Sequence, residues 1–418
     1  GLMVIARSSA FKYKGKDFDP QEVANSLGVE AIVTGRVVQR GDQLQIRAEL
    51  INARDKTQLW GEQYNRGVTD VQSVQEEIAR AISEKLRVRL SRASEEQLSK
   101  HATTNPEAYQ LYLNGVYYRR RTAQDVPKAL ELYERAVTID PNFAAAWAAI
   151  ADAYVLLAGN GVLDPSLAKP KAKAAAKRAL ELDETLADAH VAQARIMSSD
   201  WDWSGAERES KRAFELSGNL SEAYMRYGGL LSLLGRHDEA IASVRRAQQV
   251  DPLDLRWRSG EGTFLYFARR YDEAIQKFES VLKLTPDDET TIIYRAYVYE
   301  AKGMYQEAIS DYQKIIAAGD TTTSTQCYLG YALAKSGKKS EAQAIQEKLK
   351  TTKEYVSPAE FAALYVGLGD NEGALDLLEK AYAARDLQLQ FLKVDPHYDA
   401  LRSDPRFTEL MKKVGLPL

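Results

Sequence analysis

The side chains of this 418-residue chain that could do chemistry are few and lie far apart. The histidines are His101, His190, His237 and His397, and none has a partner at the spacing of zinc ligands, so no metal site is predicted. The single cysteine, Cys327, cannot form an internal disulfide, and a buried, inert thiol is expected there. No serine-hydrolase, phosphate-binding or dinucleotide-binding motif occurs. The sequence therefore predicts no catalytic centre and no cofactor, and His190 is expected to fill a core position.

The composition argues against nucleic acid as a partner and against a membrane-spanning helix. Lysine and arginine total 56 and aspartate and glutamate 59, which gives a net charge of −3. A nucleic-acid-binding protein needs a basic face, so nucleic acid is not an expected partner. The sequence also has no run of eighteen apolar residues, so no membrane-spanning helix is predicted within it. The abundant carboxylates are expected on solvated helix faces.

The last three quarters of the chain repeat one helical pattern. An alanine is followed four residues later by a bulky residue and seven residues later by a small or aliphatic one. These marker alanines are Ala129, Ala172, Ala206, Ala240, Ala274, Ala308, Ala342 and Ala374. Their spacings are 43, 34, 34, 34, 34, 34 and 32 residues. A period of 34 is typical of tetratricopeptide repeats (TPR), so we expect a mainly α fold, a right-handed superhelix of about eight helical hairpins.

Other positions of the pattern have physical reasons. Glycines such as Gly235 suit the left-handed turn that ends a first helix, and prolines such as Pro252 begin the next unit. The first spacing is nine residues longer than 34, and the insertion is assigned to the loop at 159–165, which is either a partner contact or a tolerated insertion. Trp201 and Trp203 are expected to pack at a turn.

The first hundred residues change from helical to strand periodicity. Alternation at 44–50 predicts a strand, paired through a turn at 40–42 with another at 31–38, and further strands are expected at 58–64 and 3–6. Helices are predicted from Asp19 to Gly28 and from Thr69 to about Leu90. The predicted domains are a small α+β domain at 1–92, a linker at 93–105, eight repeats at 106–387 and a capping segment at 388–418.

The amino-terminal part resembles the first domain of TolB-type proteins, in the stretches 4–16, 27–31, 35–37, 44–46, 50–54 and 59–64. Together with the repeats it is similar to the carboxy-terminal sensor part of bacterial transmembrane serine/threonine kinases, adenylate cyclases and winged-helix regulators. No kinase motif, cyclase core or winged helix is present in these residues. The resemblance implies that an effector domain, such as a kinase, a cyclase or a winged helix, lies upstream of these residues. It also implies that the TolB-like domain lacks its first strand and helix. Since the chain starts at Gly1, we expect it to be a piece of a longer protein.

In TPR arrays the first helix of each hairpin lines a concave groove. Carried onto this sequence, that resemblance gives Asn114, Tyr117, Asp152, Arg195, Arg256, Tyr266, Tyr297, Glu300 and Tyr331 as candidate groove residues. Aromatic side chains interspersed with arginine suit an extended peptide. The alternative is that several of these tyrosines pack between neighbouring helices. The lysine and asparagine set of chaperone-tail receptors is missing, so such a ligand is not expected.

Three functions stay open at this point. The first is a non-catalytic, peptide-binding sensor module of a bacterial signalling protein, with a serine/threonine kinase as the expected effector. The second is a free-standing TPR adaptor in protein-complex or envelope assembly, and the third is an enzyme whose site has no recognisable motif. The expected partner is a protein or peptide, and a homodimer is left open. A sensor in a membrane-spanning receptor would lie outside the cytoplasm, and otherwise the chain would be cytoplasmic.

Overall fold

A computed structural model of the chain describes residues 18–67, 71–85, 103–119, 125–159, 162–320 and 322–417, and the single residues 5, 10 and 13. The predicted strand at 3–6 therefore lies outside the described residues, apart from Ile5. The same is true of most of the predicted linker, of both predicted ends of the helix from Thr69 to Leu90, and of Asn160 and Gly161 in the inserted loop. His101 also lies outside them.

The first described elements form a small α+β arrangement. They are α1 (Pro20–Leu27), β1 (Ala31–Arg40), β2 (Gln43–Asn52), β3 (Gln58–Gly67) and α2 (Val71–Lys85). The strands form an antiparallel sheet in the order β1-β2-β3, and a two-residue turn joins the first two. Helix α1 begins as predicted, because the Asp19 carboxylate accepts a hydrogen bond from the Gln21 N–H at 2.8 Å.

The predicted period-two pattern of β2 is confirmed. Leu44, Ile46, Ala48 and Leu50 are all buried and share one face of the sheet. Trp60 and Tyr64 from β3 and Val74 from α2 complete this core. A sheet with one apolar face requires such a cover, and α2 provides it.

Sixteen helices between Pro106 and Ala383 form eight consecutive hairpins. They are α3 (Pro106–Arg119) with α4 (Val126–Ile139), α5 (Ala144–Gly159) with α6 (Pro165–Leu182), α7 (Ala187–Ser199) with α8 (Trp203–Leu216), α9 (Ser221–Leu233) with α10 (His237–Val250), α11 (Leu255–Phe267) with α12 (Tyr271–Leu282), α13 (Glu289–Ala301) with α14 (Tyr305–Ala317), α15 (Thr323–Lys335) with α16 (Lys339–Thr351), and α17 (Pro358–Leu368) with α18 (Asn371–Ala383). Each marker alanine lies in a second helix and is at most 1% exposed. The predicted fold class is confirmed at this level.

Small residues set the close approach of the helices. A Cβ atom on Gly262 of α11 would lie 2.5 Å from a ring carbon of Phe278 in α12. A Cβ atom on Gly330 of α15 would lie 2.7 Å from Leu364 in α17. These distances are shorter than van der Waals contact, so a larger residue would force the helices apart.

The turn that ends each first helix repeats with the same period. Gly235, Gly303 and Gly337 have φ values of +81°, +75° and +91°, as predicted for turn glycines. At the equivalent positions Trp201 and Arg269 also have positive φ, +65° and +62°. A side chain in this conformation costs about 1 kcal/mol or more, so the repeat geometry overrides residue preference at both positions.

The chain forms two compact units. The first comprises residues 1–196, 208–220 and 249–253, and the second comprises residues 197–207, 221–248 and 254–418. The second unit ends with two 3₁₀ helices, η1 (Leu387–Phe391) and η2 (Pro396–Leu401), and with α19 (Pro405–Val414). None of the described helices is both long and apolar enough to cross a membrane.

Helix α19 packs on α18, the last helix of the repeats. The Arg406 guanidinium pairs with Asp376 at 2.6 Å and with Glu379 at 2.9 Å. The apolar side of α19 is buried in the core through Phe407, Leu410 and Val414. Such a helix covers the apolar side that a terminal repeat would otherwise expose.

Trp201 and Trp203 pack within the second unit, but against its last elements. The Trp203 indole N–H donates to the Val414 carbonyl at 2.9 Å. The Trp201 ring stacks on Tyr382 of α18 at 5.5 Å, and the Arg385 guanidinium lies 4.5 Å over the same ring. Packing at the turn was the expectation, and contact with residues about 200 positions away was not foreseen.

Candidate functional site

An ion cluster joins the first helices of three successive hairpins in the first unit. Asp152 of α5 lies 2.6 Å from the Arg119 guanidinium of α3, and it also accepts a hydrogen bond from Arg195 of α7. All three side chains are about 15% exposed. The structure thus brings the predicted residues Asp152 and Arg195 together on one face. Arg119, which the sequence analysis missed, completes this face.

Helix α3 carries two of the predicted residues that are exposed. Tyr117 is 61% exposed, and its ring lies 5.4 Å from that of Tyr118, edge-on. Asn114 is also exposed and accepts a hydrogen bond from Gln110 at 3.3 Å. An exposed tyrosine supplies contact area at low entropic cost, which is why such residues are frequent in binding surfaces.

Arg256, at the start of α11 in the second unit, has local partners. Its guanidinium pairs with Asp254 at 2.6 Å and lies 4.6 Å over the Trp257 ring. Asp254 also caps α11 by accepting a hydrogen bond from the Arg256 N–H at 3.0 Å. Because these contacts hold the start of the helix, the structure gives Arg256 a structural role.

Tyr266, Tyr297 and Tyr331 lie on α11, α13 and α15 and are here called the tyrosine face. The chain itself covers this face with residues 387–402, the connection between α18 and α19, here called the groove loop. The loop is held by apolar side chains that are at most 3% exposed: Leu389, Leu392, Val394 and Leu401. Phe391 stacks on Phe267 of α11 at 5.6 Å. Tyr266, Tyr297 and Tyr331 are therefore in contact with a segment of the same chain.

His397 places a charged cluster at the centre of this contact. Its Nδ1 lies 2.6 Å from Asp395 and its Nε2 lies 2.8 Å from the predicted groove residue Glu300. The Tyr312 hydroxyl donates to Glu300 at 3.1 Å. Burial opposes a charge on the imidazole, but the two carboxylates outweigh it and raise the pKa of His397 to about 10. The ring is therefore an imidazolium at neutral pH.

The carboxyl groups beside His397 differ in their surroundings. Burial raises the pKa of Glu300, although the imidazolium opposes that shift. For Asp395 burial acts in the same direction, but the charge and hydrogen bonds of His397 outweigh it and lower the pKa. One oxygen of Glu300, Oε1, is buried without a hydrogen-bond partner among the described residues. In this cluster the loop residues Asp395 and His397 are strongly paired with each other. On the helix side, one oxygen of Glu300 lacks a hydrogen-bond partner among the described residues.

Three tyrosine rings surround the imidazole. The ring centroids of Tyr297, Tyr328 and Tyr331 lie 5.3, 4.9 and 4.8 Å from that of His397. Aromatic rings attract a cation, and burial strengthens the attraction. The tyrosine face thus binds one cationic side chain.

A second acidic group lies where the groove loop leaves α18. Glu360 of α17 accepts hydrogen bonds from Ser324 at 2.8 Å and from the loop residue Gln388 at 3.1 Å. Asp386 lies beside them and accepts from Ser357 at 2.6 Å. Burial raises the pKa of Glu360 to about 7, because the hydrogen bond from Ser324 offsets only part of the desolvation.

The single cysteine and His190 of the first unit are buried. Cys327 is fully buried, as predicted, and burial raises the pKa of its thiol well above the usual range. His190 is 9% exposed and pairs with Glu209 at 2.8 Å, so it fills a core position as expected. Within the described residues, no group of three or more metal-ligating side chains lies close enough to hold an ion.

The tyrosine face and its occupant could be predicted only in part. The repeat register pointed to Tyr266, Tyr297, Glu300 and Tyr331. The partner His397 was missed, because Glu300 lies 97 residues away along the chain. The local signal was Asp395-Pro396, which starts a helical turn and positions a histidine two residues after a carboxylate.

Comparison with known proteins agrees with this architecture. The family model described as tetratricopeptide repeat matches residues 230–289 and 260–321. Residues 230–321 of this chain contain TPR repeats. Among solved structures, a monomeric mutant of IFIT1 has a TM-score of 0.53 at 14% identity, with 83% of this chain and 86% of that chain covered. The Cut9–Hcn1 hetero-tetramer of the APC/C gives 0.50 at 16% identity, with coverage of 79% and 59%. At these identities the likeness shows the fold alone.

One curated relative is similar in sequence. The protein named "Putative adenylate cyclase 3" from Rhizobium meliloti (strain 1021) is 36% identical over 151 residues, 36% of this chain. The match spans only 26% of the length of that relative. TPR repeats form protein-interaction modules, and the repeats indicate that this chain has such a role.

Proposed function

We propose that this chain is the non-catalytic sensor module of a bacterial signalling protein and that it binds a protein or peptide through its TPR repeats. The observation that carries the proposal is the contrast between the predicted groove residues. Tyr266, Tyr297 and Tyr331 are covered by the groove loop, whereas Tyr117 on α3 is 61% exposed. Recognition is therefore assigned to the first-helix face of the first hairpins, with Asn114, Tyr117, Asp152 and Arg195 as its residues.

The chemistry of this surface favours a peptide with aromatic and polar side chains. Tyr117 and Asn114 offer a ring and an amide, and the cluster around Asp152 holds three first helices in register. A surface held rigid before binding loses less entropy when a ligand is captured. The bound ligand would then change the arrangement of effector domains upstream.

The effector is proposed to be a nucleotide cyclase or a serine/threonine kinase. The name of the relative from Rhizobium meliloti favours the cyclase, and the resemblance to kinase sensor parts is what supports the kinase. Reading the gene upstream of these residues tests this step directly. A free-standing adaptor would have no cyclase, kinase or winged-helix segment there.

The binding step is tested by affinity capture from soluble and envelope fractions of the native bacterium. The baits are the wild-type chain, a variant with Asn114→Ala and Tyr117→Ala, and Tyr355→Ala as the matched control. Tyr355 is 60% exposed, so the control removes an equally accessible ring from a different surface. We expect a partner that wild type and Tyr355→Ala retain and that the double variant loses while it keeps its circular-dichroism spectrum.

Two results would contradict the assignment. A partner retained equally by all three baits would move recognition to the α+β domain or to the loop at 159–165. Capture of no partner by any bait would favour a spacer or a small-molecule sensor over a protein-binding module.

A further inference from the structure

The groove loop is attached to the repeats as a ligand would be. Its backbone hydrogen bonds are local: Leu392 N–H donates to Leu389, Asp395 to Phe391, and Tyr398 to Asp395. The contacts with the helices come from side chains, such as the Tyr398 hydroxyl, which donates to the Ala359 carbonyl at 2.9 Å. A segment that satisfies its own backbone and reaches its neighbours through side chains can leave without breaking the hydrogen bonds of the repeats.

The helices at the two ends of the loop are also held by contacts outside it. The loop starts directly after α18 and ends just before α19, and α19 is held on α18 by the pairs between Arg406 and Asp376 and Glu379. Trp203 holds the carboxyl end of α19. Helix α19 can therefore stay on α18 when the loop opens and the ring contact between Tyr398 and Phe407 is lost, like the fixed end of a compact surface loop.

We propose that the tyrosine face is a second peptide-binding site and that the groove loop occupies it as a ligand in cis. This inference rests on the proposed function, since it takes the repeats as a peptide-binding module. Its chemistry follows from the occupant: a carboxylate at Asp395, a cationic ring at His397 and a phenol at Tyr398, within one helical turn. A partner peptide for this site carries the same three groups at the same spacing.

The groups that recognise such a peptide are in place on the helices. Glu300 and the rings of Tyr297, Tyr328 and Tyr331 receive the cation. The Tyr266 hydroxyl donates to the carboxylate at 3.4 Å. Arg269 pairs at 2.9 Å with Asp399, which follows the phenol in the loop. The site thus offers a carboxylate to the cation at His397 and a guanidinium to the carboxylate at Asp399.

A tethered ligand competes at a high effective concentration, in the millimolar range for a short connection. A peptide of equal intrinsic affinity supplied at micromolar concentration therefore binds poorly to the wild-type chain. Weakening the loop without touching the helices removes this competition. His397→Ala does so, because the removed side chain belongs to the loop and Glu300 becomes hydrated once the loop leaves.

Hydrogen exchange measured by mass spectrometry on the full wild-type chain is the first test. We expect amides of residues 387–402 to exchange faster than those of α13 and α15, through an opening that leaves those helices protected. In His397→Ala the exchange of the loop should rise at least tenfold further, with α11, α13 and α15 unchanged. His190→Ala is the matched control, since it removes another buried histidine paired with a glutamate and should leave the loop unchanged.

Binding in trans is the second test, with a fluorescein-labelled peptide that has the sequence of residues 392–401. Its Kd should be at least tenfold lower for His397→Ala than for wild type, and a peptide with alanine in place of the histidine should lose that gain. The proposal is overturned if the loop and α13 exchange together in one cooperative step in the wild type. It is also overturned if the loop opens in His397→Ala but the peptide does not bind. Either failure would leave recognition around Tyr117 untouched, so the two proposals can fail separately.

Discussion

Glu360 is a buried carboxyl group whose ionisation opposes folding. Its pKa rises from the ordinary 4.5 to about 7 because burial disfavours the charged form. A group whose folded-state pKa is raised stabilises the fold fully below the unfolded pKa, and that stability is lost as the pH rises through the folded value. For Glu360 the loss falls between about pH 4.5 and 7.

Glu360→Gln should remove this loss. Glutamine keeps an oxygen that can accept from Ser324 and Gln388, but it carries no charge at any pH. We expect the free energy of unfolding of the variant to exceed that of wild type at pH 8 by on the order of 3 kcal/mol, and to equal it near pH 4. Urea denaturation between pH 4 and 8 measures both, with the exposed Glu354→Gln as the control for a lost carboxylate. Parallel curves for wild type and Glu360→Gln would contradict the prediction.

Residue identity predicted burial better than it predicted partners. The expectation that Cys327 and His190 are buried follows from their types and positions, and the structure agrees. The pairing of His397 with Glu300 depends on how the groove loop folds back, and no local periodicity encodes it. Ion pairs between distant residues are set by tertiary structure, which a single sequence does not reveal.

At the scale of the helix, two glycines inside first helices differ in their surroundings. Gly229 in α9 and Gly262 in α11 both lie inside a first helix. A Cβ atom on Gly229 would meet nothing within 4 Å, whereas one on Gly262 would lie 2.5 Å from the Phe278 ring. The Phe278 side chain is fully buried, so it has no room to move away.

Alanine should therefore have opposite effects at the two positions. Gly229→Ala gains helix propensity, and we expect it to stabilise the chain by up to about 1 kcal/mol. Gly262→Ala meets the Phe278 ring, and overpacking of this kind costs about 1 to 3 kcal/mol, which exceeds the gain in propensity. Thermal unfolding of the two variants beside wild type measures the difference. Equal shifts of the two melting temperatures would show that the helices of the repeat are free to move apart.

Helix boundaries and hairpin pairing were predictable because the same pattern of residues recurs in each copy of the repeat. Each copy confirms the others, so turn glycines such as Gly235 and Gly303 are identified by period as well as by type. The same period shows what single-residue reasoning misses: Trp201 and Arg269 occupy the left-handed turn position without being glycine. The identity of a partner in tertiary structure, such as Tyr382 for Trp201, has no such redundancy.

At the scale of the whole molecule, the two units differ in what lies on the face formed by their first helices. In the first unit, Arg119, Asp152 and Arg195 tie three first helices together with ion pairs. In the second unit, the groove loop lies on that face and the terminal helix α19 closes on Trp203. Under the two proposals, a ligand binds the accessible face of the first unit and competes with the groove loop for the face of the second unit.

The contact between Trp203 and Val414 should hold the end of the second unit in place. The indole N–H donates to the Val414 carbonyl at 2.9 Å in buried surroundings, so Trp203→Phe leaves that carbonyl without its partner. A buried polar group left in this state costs about 1 to 3 kcal/mol. Trp147→Phe is the matched control, because its indole N–H donates to the Pro141 carbonyl at the same 2.9 Å but in an exposed place.

We expect Trp203→Phe to raise the amide exchange of residues 405–414 about tenfold, which corresponds to about 1.4 kcal/mol of local opening, and Trp147→Phe to leave it unchanged. The groove loop should also exchange faster in Trp203→Phe, because α19 anchors one of its ends. If α19 exchanges faster while the loop does not, the pairs of Arg406 with Asp376 and Glu379 are sufficient to fix the loop end. If neither changes, α19 is held by apolar packing alone, and the carbonyl of Val414 finds water in place of the indole.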